Sequence, residues 1–123
     1  MIQEEKELLL KDLCSRLPYN PMVEYKGETY NVLGITHGRL VLCKPFMSYT
    51  LDEHPLVEEV KLYLFPMSSM TEEQKEDMIK SSIGIGSDKN VFDWYNKNKF
   101  DYRGLIPMGL AKDATGLTGL NIY

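Results

Sequence analysis

Five aromatic rings and three cations crowd into residues 92–103: Phe92, Trp94, Tyr95, Phe100 and Tyr102, interleaved with Lys97, Lys99 and Arg103. Aromatic faces stack on bases and nearby cations hold phosphates, so a segment of this kind can bind a nucleotide or a short single strand. The candidate ligand-binding residues are Trp94, Tyr95, Lys97, Lys99, Tyr102 and Arg103. Arg103 is the best phosphate candidate, because its planar fork can hold two oxygens and Gly104 beside it lets a ligand approach the backbone. The same residues also read structurally. Phe92, Tyr95 and Phe100 would then plug the core, the polar residues would face water, and Trp94 or Tyr102 would pack at the edge.

Other side chains capable of chemistry stand apart. His37 sits beside Gly38 in an expected turn, and His54 follows Asp52-Glu53 with no second cluster of ligand types to complete a metal site. Cys14 and Cys43 lack metal-ligand spacing and have leucine neighbours, so two buried free thiols are expected. Ser68 and Ser69 precede a helix, where hydroxyls serve as caps, and the pairs Glu58-Glu59 and Glu72-Glu73 read as a solvated charged face. Gly84-Ile85-Gly86-Ser87-Asp88-Lys89 lacks the Gly-Lys-Ser/Thr ending of a P-loop and the third glycine of a dinucleotide fingerprint, and reads as a helix-to-helix connection. No catalytic residue, metal site or cofactor is marked.

The elements that must position these residues are legible in outline. Leu9, Leu10, Leu13, Cys14 and Leu17 share one face of a helix over residues 2–17, which Pro18 stops. Strands are expected over Met22–Tyr25, Thr29–Ile35 and Arg39–Cys43, with turns at Lys26-Gly27 and Thr36-His37-Gly38. After a loop from Lys44 to Pro55, Val57–Phe65 alternates as a fourth strand, with Val60, Leu62 and Leu64 inward and Glu59, Lys61 and Tyr63 outward. Thr71-Glu72-Glu73-Gln74 is a capping box that opens a helix to about Ser81. Asp88 or Asn90 caps a further helix through Lys97. The tail, residues 104–123, reads as mostly irregular, with Leu105, Ile106, Leu110 and Leu117 laid along the core.

A chain of 123 residues with 43% hydrophobic and 26% charged residues fits one globular domain, residues 1–123. Its net charge of −4 argues against charge-driven binding to duplex DNA or to an anionic membrane. The start, Met1-Ile2-Gln3-Glu4-Glu5, is acidic where a signal peptide would be basic, and no apolar run approaches the ~18 residues of a membrane span. A cytoplasmic location is expected. The fold class expected is α+β: a small antiparallel sheet of about four strands, barrel-like if it curls, packed with an N-terminal helix and two later helices.

Two stretches carry a resemblance. They run from Lys61 through Phe65-Pro66-Met67-Ser68-Ser69-Met70-Thr71-Glu72-Glu73-Gln74 to Lys75, and from Asp93-Trp94-Tyr95 through Phe100-Asp101-Tyr102-Arg103-Gly104 to Ile106. Together with the start, Glu4 to Tyr19, and the later Gly109-Leu110-Ala111, they resemble a family of short hypothetical proteins encoded by phages, prophages and mobile elements of anaerobic gut bacteria. The resemblance implies context, including the cytoplasm of a bacterial host, and carries over no catalytic residues. The leading functional expectation is a non-catalytic accessory protein that binds a host or phage protein. One alternative is a counter-defence protein that binds a small nucleotide and so sequesters a host immune signal. Another is an enzyme whose site forms only in three dimensions. Oligomeric state is not encoded in any motif.

Overall fold

The computed structural model describes residues 1–45, 50–84 and 87–116. Helix α1 (Gln3–Arg16) leads through a 3-10 turn at Leu17–Tyr19 into the strands β1 (Met22–Tyr25), β2 (Glu28–Thr36) and β3 (Arg39–Cys43). A second 3-10 turn, Val57–Glu59, precedes β4 (Lys61–Leu64). Helices α2 (Glu72–Ser81) and α3 (Ser87–Lys97) follow, then β5 (Ala111–Asp113). The protein is α+β. Among the described residues no helix is long and apolar enough to cross a membrane.

Both hairpins are set by two-residue turns in the left-handed region: Lys26 and Gly27 at φ 51° and 80°, His37 and Gly38 at φ 52° and 77°. Such turns match the natural twist of paired strands, which fixes the registers Tyr25↔Glu28 and Thr36↔Arg39. His37 is exposed in its turn. Between Val32 and Gly34 the β2–β3 register slips by one, and Leu33, left unpaired in this bulge, is exposed. In α2, the Thr71 hydroxyl accepts from the Gln74 amide at 3.1 Å, and the Gln74 side chain accepts from the Thr71 amide at 2.8 Å, which completes the expected capping box.

Among the described residues, five strands lie in the order β3-β2-β1-β4-β5. The sheet is open rather than barrel-like, and it is mixed. β1 through β4 pair antiparallel, whereas β5 runs parallel to β4 through Leu62↔Ala111 and Leu64↔Asp113. The fifth strand arises in a tail expected to be mostly irregular. Leu105 and Leu110 are buried in the core, and Leu117 lies outside the described residues.

One face of the sheet, with Val23, Tyr25, Tyr30, Val32, Leu40, Leu42, Leu62 and Leu64, packs on Leu9 and Leu13 of α1. Three expectations fail here, each for a geometric reason. Cys14 is exposed, while Cys43 is buried. Helix α1 buries Asp12 and Arg16 beside Leu9 and Leu13, which rotates the core face by most of one ~100° residue step and turns Cys14 outward. Tyr63 is buried on the opposite face, because Met22, Ala114 and the partly buried Phe65 pack around it. Its hydroxyl lies 3.3 Å from Glu24 Oε2. Val57–Glu59 is a 3-10 turn rather than the start of the fourth strand, although Val57 and Val60 still enter the core.

Candidate functional site

Asp12 and Arg16 stand one helical turn apart on α1 and are almost completely buried. Arg16 donates to both carboxylate oxygens of Asp12, from Nε at 2.9 Å and from Nη2 at 3.1 Å, and Nη2 also reaches the Phe100 carbonyl at 2.8 Å. Arg103 approaches from the other side, with Nε 2.9 Å from Asp12 Oδ1. Its Nη2 lies 3.0 Å from the Tyr102 hydroxyl and 3.4 Å from Ser15 Oγ. The Tyr102 hydroxyl donates to Asn96 Oδ1 at 2.9 Å. One carboxylate thus faces two guanidinium groups, and this polar cluster joins α1, α3 and the loop after α3.

The loop that carries Tyr102 and Arg103 is shaped by Asp101. Its two carboxylate oxygens accept from the amides of Leu105 at 2.8 Å and Ile106 at 2.9 Å. Gly104, at φ 77°, supplies the left-handed step inside that clamp. Tyr102 is flanked by cations: the guanidinium carbons of Arg16 and Arg103 lie 5.3 and 4.9 Å from its ring centroid. Tyr95 stacks on it at 5.5 Å.

The six candidate residues do not converge. Tyr102 and Arg103 line a groove of about 600 Å³ between α1 and α3, whose other walls include Lys11, Lys89, Phe92 and Asp93. Trp94 and Lys97 line a separate cleft of about 340 Å³ with Tyr19, Asp77 and Asn90. Tyr95 is half-buried. Lys99 is only 3% exposed, with Nζ 3.2 Å from the Tyr19 carbonyl.

The aromatic roles also exchange. Trp94, expected at an edge, is buried and stacks on Phe100 with ring planes 8° apart, while its indole N–H donates to Asp77 Oδ2 of α2 at 2.7 Å. Phe92, expected in the core, is 49% exposed. Residues two apart on a helix point to nearly opposite sides, so one of these rings had to face water. Phe100 is buried, as its structural reading required. Of residues 84–89, expected to connect the two helices, Ser87, Asp88 and Lys89 already belong to α3, and Ile85 and Gly86 lie outside the described residues.

Burial lowers the Lys99 ammonium from 10.5 to about 8, with the Arg16 charge adding to the effect. The neutral form is therefore favoured by folding. The resulting destabilisation is fully present below pH 8 and is relieved as the pH rises from about 8 toward 10.5. The urea midpoint of wild type should rise relative to that of Lys99→Met over this interval. Parallel pH curves would show that Lys99 is not the group responsible.

Lys11 is not legible as a groove residue because it lies on α1, far in sequence from the aromatic segment; Lys89 stands on α3 one turn before Phe92, and helical spacing is the signal that could have found it. Among the described residues there is no group of three or more His, Cys, Asp or Glu side chains placed to hold a metal ion. Comparison with protein-family models, with curated proteins and with solved structures finds no match for this chain.

Proposed function

We propose that the chain is a non-catalytic accessory protein of a phage or mobile element, acting by binding a protein of the host or of the phage. The resemblance of residues 61–75 and 93–106 supplies the genetic context. The observation that carries the reading is the outward apolar surface of α2. That helix has no buried residue; Ile79 in its last turn is 55% exposed, and Ile83 just beyond its end is 74% exposed. A surface helix usually turns such side chains inward, and large branched apolar groups left in water suit a partner's apolar surface. Around these side chains α2 exposes both signs of charge, Glu72, Glu73 and Glu76 with Lys75 and Lys80, so the matching partner surface is an apolar patch with a mixed polar rim.

A tagged wild-type chain and the Ile79→Asp/Ile83→Asp variant, each exposed to lysate of a gut anaerobe, test the reading. The expected result is a protein retained by wild type and lost by the variant at equal melting temperature. Identical capture profiles for the two would overturn it.

A further inference from the structure

The groove between α1 and α3 has features that a protein-docking helix does not need. Its volume, about 600 Å³, lies inside the ~300–1,000 Å³ range of small-molecule sites. Three cations, Lys11, Lys89 and Arg103, line it against the single carboxylate Asp93, in a chain whose net charge is −4. Behind it, Asp12 is bonded by both Arg16 and Arg103; the buried charges of Asp12 and Arg16 cancel, so nothing in this pair offsets the positive lining. Arg103 is held by its bonds from Nε and Nη2, and Nη1 makes no hydrogen bond among the described residues. A donor already fixed in place loses little freedom when an anion arrives. Lys11 makes no ion pair among the described residues, and Lys89 meets Asp93 at 2.8 Å on an exposed surface, where a phosphate can share its ammonium. At the same groove Phe92 leaves half its ring in water, 5.2 Å from the Tyr102 ring centroid.

We propose that this groove binds a small nucleotide, with the base stacked on Phe92 and the phosphate held between Lys11, Lys89 and Arg103. The aromatic ring and the anion are both required by the lining: cations alone would hold any phosphate, and an exposed phenyl ring alone any apolar group. The site is independent of the protein-binding surface, because α2 contributes no lining residue.

Titration calorimetry at low salt tests the proposal with the four ribonucleoside monophosphates and cyclic dinucleotides, against inorganic phosphate and adenosine as separate halves of the ligand. The expected result is that at least one nucleotide binds more tightly than either half. Phe92→Ala should weaken it roughly 5- to 150-fold, the equivalent of losing one base–aromatic stack. Lys11→Gln should weaken it and flatten its salt dependence. Both variants should stay folded and melt close to wild type, because Lys11 is exposed and half of the Phe92 ring is in water, and Ile79→Asp/Ile83→Asp should bind normally. Absence of binding to every nucleotide at millimolar concentration would overturn the proposal. So would binding unchanged in both groove variants, or phosphate alone binding as tightly as any nucleotide.

Discussion

Replacing Asp12 with alanine should lower the unfolding free energy by about 3–5 kcal/mol, because it leaves two guanidinium groups facing each other without the carboxylate that holds them. Asp12 and Arg16 are 0% and 1% exposed, so water cannot take over the lost hydrogen bonds without opening the junction between α1 and the loop after α3. At ~2–8 °C per kcal/mol, the loss should appear as a drop of about six degrees or more in melting temperature. The control is a triple change, Asp12→Leu with Arg16→Met and Arg103→Met. Exchanging a whole buried ionic cluster for apolar groups is often close to neutral, so the triple variant should recover a large part of what the single one loses. A single Asp12→Ala cost below 1 kcal/mol, measured by denaturant titration, would show that the cluster contributes little. The same logic makes Arg103 a structural residue, so its removal would confuse stability with binding.

Phe100→Ala should be about as costly, at about 3–5 kcal/mol, for a different reason. Phe100 is 1% exposed and stacks on Trp94 at a centroid distance of 5.5 Å, with Phe65 on another side at 6.2 Å. Its removal leaves a cavity among large rings that cannot collapse without shifting α3. Trp94 is the only tryptophan in the chain, so its emission reports on this site directly. The expected result is a red-shifted native spectrum together with the lowered stability. A native spectrum identical to wild type, with a loss under 1 kcal/mol, would place Phe100 outside the load of the core. Phe92→Ala, two residues on the outward side of Trp94, should change neither quantity appreciably.

The parts of the fold that were legible in the sequence are those set by neighbouring residues. Lys26-Gly27 and His37-Gly38 each fix a hairpin by backbone conformation alone, and Thr71 with Gln74 opens α2 through bonds spanning three positions. What was not legible depends on orientation or on distance along the chain. Periodicity says which residues of a helix share a side, but an Asp–Arg pair one turn apart looks the same whether water or a second arginine completes it. The buried side of α1 was therefore misplaced, and Cys14 with it. The same ambiguity exchanged Phe92 and Trp94: spacing put them on opposite sides, and only the position of Asp77 and Phe100 decides which side is inward. β5 is three residues long and exists because β4 offers an edge, which no local pattern announces. Of the candidate site, Tyr102 and Arg103 were readable from composition. Lys11 was not, since α1 is a separate piece of chain, and Lys89 lay one helical turn outside the aromatic run.

The connectivity of the sheet also sets an order of assembly. The β1–β2–β3 meander joins residues a few positions apart across each hairpin, so its loop-closure entropy is small. β4 must find β1 with Val23 opposite Leu62, and β5 must find β4 with Leu62 opposite Ala111, each a much longer closure. During synthesis the meander can form while the rest of the chain is still unmade, whereas the edge of β4 stays open until residue 113 has left the ribosome. Over that interval Leu62 and Leu64 present unpaired backbone along that edge, and Tyr63 lacks the cover it has in the finished sheet. The nascent chain is thus open to wrong strand pairing in the interval between β4 and β5, at the edge that β5 closes.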